Sequence, residues 1–443
     1  MLDMTHPVRL GILKERPYLT DEFTNTYSAL ICNANLTISF GAGVASLLRQ
    51  AVGRRGTVSG FLIDPMTHSV CMDRRAITND EGRVKSGLEG LFKAYGLSDR
   101  EIAKLPLTTA QAAEGLGESF VSAVLAFQRN RVRELSSEDN EYLAFADAAG
   151  KSLPAFDPGI VMAPYLYMND GPDAKVLLKI NGKLYERARA LTPHVAALVA
   201  VQKTLIRDVE FRSSLVEQLS DLKPPLVLLW IARLDEHRNL GSEFWAAKDL
   251  MLQLARKNLQ VVRLYASFFT YSLREPNLIG VAHGPGYGEE RNEVPVGGGI
   301  PRPKYYFPPL YRRLDFDKAA VFVKNEIKDA GEFFRRVCGC PQCRAVIGKD
   351  LANFDLYGEV RSTRMTVYDR ATKIGEEREI EYASPEQLER ATKHYMYAKF
   401  DEVRGAQSMS RPQLQTLLRS NLEWFQATVL QDEAQHLSVW AQD

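Results

Sequence analysis

The sequence predicts a mixed α/β fold: a closed (β/α)8 barrel of the TIM type, with a helical insertion at about 82–136 and a late subdomain built around cysteines. Three observations predict it. Apolar strand-like runs alternate with longer helical stretches, the order that builds parallel sheets. The runs between residues 225 and 284 are almost continuously apolar, as in strands covered on both faces. Three of the five cysteines crowd into CGCPQC, residues 338–343. An open doubly wound sheet fits the same alternation, and the repeat count favours closure.

In chain order, TYSALICNANLTIS (26–39) and TVSGFLIDP (57–65) read as strands, separated by the helical ASLLRQAV (45–52). Residues 82–136 read as helical almost throughout. GIVMAPYLYMND (159–170) is a strand running into a turn signal, and PHVAALVAVQKTLIRDVEFRSSLVEQLSD (193–221) reads as a long amphipathic helical stretch. A regular rhythm follows: strand PLVLLWIARLD (225–235), helix EFWAAKDLMLQLARKN (243–258), strand QVVRLYASFF (260–269) and strand LIGVAHG (278–284). With five glycines and five prolines, residues 286–309 form a long ordered loop or an active-site wall. Residues 361–385 read as a β-hairpin, TRMTVYD and EREIEY around a turn at ATKIG. Near the C-terminus Leu414, Leu417, Leu418, Leu422, Phe425 and Leu430 recur at helical spacing, for packing on the subdomain or for a homodimer interface. The expected domains are a barrel over 1–335, a metal-binding subdomain over 336–404 and a C-terminal helix over 405–443.

Charge is balanced, 56 Lys+Arg against 55 Asp+Glu, so no global field announces a polyanionic partner. A nucleic-acid role needs a local patch. RPKYYFPPLYRRL (302–314) interleaves cations with aromatics and suits a flipped base, or packs its tyrosines at a barrel rim. No apolar run reaches 18 residues, and MLDMTHPVRL lacks a signal-peptide core, so a soluble cytoplasmic protein is expected. The clustered cysteines do not resemble an extracellular disulfide framework. VGGGIP (296–301) lacks the Lys-Ser/Thr of a phosphate loop.

Thiolates at positions 1, 3 and 6 of a Gly- and Pro-containing turn can wrap one ion. Cys338, Cys340 and Cys343 supply three of four tetrahedral zinc ligands, and His394 in ERATKHYMYAKF is the candidate fourth, with His436 in reserve. A redox dithiol of Cys340 and Cys343 is the rival. Three cysteines and one histidine make a closed shell, so the zinc expected here is structural.

C-x-C-x-x-C followed by a helical histidine, after a (β/α) barrel, resembles the zinc subdomain of the tRNA-guanine transglycosylase family. Cys343 and His394 lie farther apart than the family's spacing, and removing the hairpin at 361–385 restores it. GFLIDPMTHS (60–69) resembles the family strand that carries a catalytic Asp, which puts Asp64 in that role. Pro65, Met66 and Thr67 replace the family's glycines there. LIGVAHGPGYGE (278–289) resembles the strand that ends in a Gly-rich loop. YFPPLYRR (306–313) matches the nucleophile segment, with Phe307 where the family has its nucleophilic Asp. The likeness covers about 26 to 404, outside the helical insertion.

The resemblance implies exchange of guanine for a 7-deazaguanine base in tRNA or DNA. One carboxylate would attack the anomeric carbon and another would shuttle a proton. It also implies a homodimer. Asp64, Asp235 and Glu290 are the candidate catalytic carboxylates, since all lie at or beyond the ends of predicted strands. Asp64 and Asp235 also suit turn or cap roles. His68, His283, Tyr287, Arg302, Tyr305 and Tyr306 are the candidate substrate contacts. Phe307 and the missing glycines favour a second function, a family member without exchange that binds a deazaguanine or a partner protein of an antiviral defence system.

Overall fold

The computed structural model describes residues 2–53, 58–79, 81–138, 158–238, 240–286, 289–293, 300–368 and 375–442. The chain forms two compact units, Met1–Pro295 and Val296–Asp443. The boundary expected at 335/336 therefore falls inside the second unit. No described helix is long and apolar enough to cross a membrane.

Among its described residues the first unit holds nine strands: β1 (Pro7–Leu10), β2 (Ala29–Asn33), β3 (Phe61–Asp64), β4 (Val161–Met162), β5 (Tyr167–Met168), β6 (Val195–Gln202), β7 (Val227–Ala232), β8 (Val261–Leu264) and β9 (Leu278–Ala282). All of their pairings are parallel. One sheet has the order β1-β2-β3; the other runs β4-β6-β7-β8-β9, with β5 also on β6. An isolated parallel bridge, Val8 to His283, joins β1 to the end of β9. The ladders do not complete a ring, because no described pairing joins β3 to β4. Gly280 makes the β9 seam possible: a Cβ there would sit 1.8 Å from the Met4 carbonyl oxygen.

Alternate residues of the strands share one core. Ile31, Leu62, Met162, Ala196, Leu198, Leu228, Trp230, Val262, Leu264 and Ala282 belong to a single buried cluster, as period-two strands facing a common interior require.

Residues 195–202, expected as helix, form β6 and are buried along nearly their whole length. A short continuous apolar run does not distinguish a buried strand from a buried helix, and here parallel neighbours on both edges decide it. The true helix is Val209–Leu222, capped by Asp208. The strand expected at 26–39 stops at Asn33, and Ala34–Ser39 is helical. β1 was not expected. Within 82–136, four helices cover Ser86–Ala94, Asp99–Ile102, Thr109–Gly115 and Glu118–Glu138.

In the second unit, β10 (Lys304–Phe307), inside the loop expected over 286–309, and β11 (Arg312–Asp315) just beyond it form an antiparallel hairpin. β12 (Val360–Tyr368) and β13 (Gly375–Ala383) form the expected second hairpin, whose turn lies outside the described residues. The C-terminal segment is two helices, Arg411–Phe425 and Gln435–Trp440.

Candidate metal centre and the Asp64 cluster

The cysteines of the second unit are brought together by local turns. Cys340 is the N-cap of helix Pro341–Ile347, and Pro341 opens that helix with no N–H to lose. The Cys343 amide donates to Cys340 Sγ at 3.3 Å. Cys338 follows the helix Ala330–Arg336, its amide donating to the Phe333 carbonyl. His394 arrives on the helix Pro385–Ser408, whose N-cap is Ser384.

The three thiols and His394 are buried, with their ligand atoms all within 4.8 Å of one another. His394 Nδ1 lies 3.7, 3.4 and 3.3 Å from the sulfurs of Cys338, Cys340 and Cys343. Zinc–ligand bonds of about 2.3 Å to sulfur and 2.0 Å to nitrogen give a tetrahedral S–N edge of about 3.5 Å, which these distances bracket. The tautomer fits as well. His394 Nε2 lies 2.7 Å from the Tyr306 carbonyl, which can only accept, so the proton sits on Nε2 and the Nδ1 lone pair faces the sulfurs. Tyr305 stacks on the imidazole, 4.3 Å between centroids. The Tyr305 and Tyr357 hydroxyls lie 3.2 and 3.5 Å from Cys343 Sγ and stabilise a thiolate there. His436 is elsewhere, bonded to the Leu310 carbonyl. The four residues could hold a metal ion such as zinc.

Tyr305 and Tyr306, expected as substrate contacts, thus support the cysteine–histidine cluster through a stacked ring and a carbonyl. Arg302 lines an open cleft of about 930 Å³ with Asp315, Asp317, Glu379 and Glu381. Phe307 is fully buried against Phe322 and Phe425.

In the first unit a polar cluster sits at the C-terminal ends of the strands. Asp64 ends β3 and is buried. Arg9 Nη2 donates to its Oδ2 at 3.0 Å, and the Tyr165 hydroxyl and the Met66 amide donate to its Oδ1 at 2.8 and 3.0 Å. Burial opposes charge on Asp64. Arg9, a protonated His68, Arg291 and the Met66 amide outweigh it, so the carboxyl sits below its usual range. His68 stacks on Tyr165 and meets the Trp230 ring edge-on. Burial, with help from Arg291 and Arg9, pushes the His68 pKa down to about 3, so the imidazole is neutral near pH 7 and its attraction for Asp64 is absent there.

Trp230 also neighbours Tyr167 and Tyr265, and the Arg291 guanidinium lies 4.9 Å from its ring centre. The Trp230 indole and the Arg233 amide both donate to the Arg291 carbonyl and fix that segment. Met66, Arg233 and Tyr265 have φ values of 53, 61 and 54°, three left-handed residues just past β3, β7 and β8. Such strain collects where loops are shaped for a ligand.

Asp235 and Glu290 are not hydrogen-bond partners of Asp64. Asp235 accepts from the His237 amide, closing the turn after β7, and pairs with His237 and Arg238. Burial works against charge on Asp235, and these contacts hold its carboxyl low. Burial and the field of Asp235 raise Glu290. His283 bonds His6, on the strand face opposite the core-facing Ala282. Tyr287 lies outside the described residues. Sequence reasoning missed Arg9, Tyr165, Trp230, Tyr265 and Arg291; the one available signal was Arg9, a lone charge in an apolar run. No family model, curated protein or solved structure matches this chain.

Proposed function

We propose that this chain is a transglycosylase-like protein in which the two parallel sheets are arcs of one (β/α)8 barrel and a structural zinc sits on Cys338, Cys340, Cys343 and His394. Its function is to bind a guanine-type base, 7-deazaguanine among them, at the Asp64 pocket without exchanging it. The shared interior of the strands and the Val8–His283 bridge support the barrel. The donor set, its distances and the His394 tautomer support the zinc.

The observation that carries the binding reading is the closure of Asp64. Its oxygens already accept from a guanidinium, a phenol and an amide, which stabilises the carboxylate and blunts it as a nucleophile. Among the described residues no second carboxylate is bonded to it, and Phe307 lies in an aromatic core. Aromatic faces beside a carboxylate still suit a planar base with N–H donors on its edge. Isothermal titration with guanine and 7-deazaguanine tests this: saturable binding that Trp230→Ala removes is expected, and no binding by the wild type rejects it.

One observation favours the exchange reading. Burial and the charge of Asp235 raise Glu290, while His237 and Arg238 hold Asp235 low against its burial, the pattern of a proton carrier beside a carboxylate. Incorporation of labelled guanine into tRNA or DNA that is lost in Asp235→Asn would establish it.

A further inference from the structure

The buried cluster around Asp64 holds more hydrogen-bonding capacity than its own residues use. The Arg9 side chain is 4% exposed, and its Nη2 serves both Asn33 and Asp64. Its Nη1 is buried with no partner among the described residues, as are His68 Nδ1 and the Tyr167 hydroxyl oxygen. Unpaired buried polar atoms are rare and costly, and a donor on a cation is the costliest kind. Charge points the same way. The Arg9 and Arg291 guanidinium carbons lie 4.5 and 5.1 Å from the centre of one ring, Tyr265, and Asp64 is the carboxylate paired with Arg9. Glu15, whose field also reaches Arg9, spends its Oε2 on the Gly11 and Ile12 amides.

From this excess of buried donors and positive charge we infer that the ligand of the Asp64 pocket carries an anionic oxygen group, a phosphate or a carboxylate, that pairs with Arg9 Nη1 and the Arg291 guanidinium. The inference rests on the reading that the pocket takes a planar base, and it narrows that base to one bearing an acid group, as a nucleotide does. Neutral His68, which lies in the field of both arginines and whose Nδ1 has no partner among the described residues, is the further candidate donor to that group. A guanidinium with a free in-plane donor matches oxyanions better than an ammonium would, so arginine rather than lysine at position 9 is what this chemistry needs.

Titration of the full chain with guanine, guanosine, guanosine 5′-monophosphate, inorganic phosphate and acetate tests it, at low and high potassium chloride. The monophosphate is expected to bind roughly tenfold or more tightly than guanosine, a gap that narrows with salt. Arg291→Gln, which leaves the Arg9–Asp64 pair in place, should weaken the monophosphate severalfold more than it weakens guanosine, closing the gap; Arg9→Lys should shrink it. Displacement of the monophosphate by inorganic phosphate marks a phosphate subsite, and displacement by acetate marks a carboxylate one. Equal, salt-independent binding of guanosine and its monophosphate overturns the anion subsite and leaves the base reading standing. Phosphate binding without any guanine or guanosine binding does the reverse. No binding of any probe overturns both.

Discussion

Replacing Cys340 with serine tests the metal centre with little collateral damage, because the cysteine has two separable roles. As N-cap it accepts from the Cys343 amide, and a serine hydroxyl serves that role at least as well. As one of three thiols around His394 Nδ1 it has no substitute, since zinc prefers thiolate. Structural zinc contributes about 10–16 kcal/mol to folding in small domains, so one ligand in four is worth about 3 kcal/mol. For a unit of this size each kcal/mol moves Tm by about 4 °C, which predicts a fall of about 12 °C in the transition of the second unit. Elemental analysis should give one zinc per wild-type chain and less in the variant, and a strong chelator should lower the wild-type Tm comparably. A zinc-free wild type, or a variant that melts with it while both ignore the chelator, would refute the reasoning.

Asp64→Asn keeps the acceptor for Tyr165 and Met66 and strands the Arg9 charge, so a loss of about 3–5 kcal/mol in stability is expected by denaturant titration. The folded Asp64 carboxyl lies below its unfolded value, so its contribution is full above the unfolded pKa near 4 and is lost as pH falls through the folded one; acid unfolding should be shallower in the variant. His68 is depressed from 6.5 to about 3, so the unfolded chain binds the extra proton and stability falls as pH drops through that window. Its imidazole NMR resonance should stay flat between pH 8 and 5, and a midpoint near 6.5 would contradict the buried placement. Phe307→Ala, which opens a cavity among Phe322 and Phe425, should cost about 3–5 kcal/mol while guanosine binding to the first unit persists.

The Cys338–Cys340–Cys343–His394 cluster was legible because its pattern is local: three cysteines within six residues, and a histidine displaced by a hairpin that alternation reveals. Most of the parallel strands were legible for the same reason, as continuous apolar runs. VAALVAVQ was not, since composition alone leaves a buried strand and a buried helix equivalent and only its neighbours choose. Asp64 was placed by its strand end, but its partners come from β1, from the β4–β5 segment and from beyond β9, a convergence that topology creates and no spacing announces. YYF in β10 looked like a base-stacking surface. Packing gave those rings to the cysteine–histidine cluster and the aromatic core of the second unit, because stacking and burial draw on the same residues.

Incubating the full chain with radiolabelled guanine together with tRNA or duplex DNA, then separating protein from nucleic acid, tests binding without exchange most directly. The account predicts label retained by the protein, displaced by unlabelled 7-deazaguanine, and none in either nucleic acid. Label covalently incorporated into tRNA or DNA, or none held by the protein at saturating guanine, would contradict it.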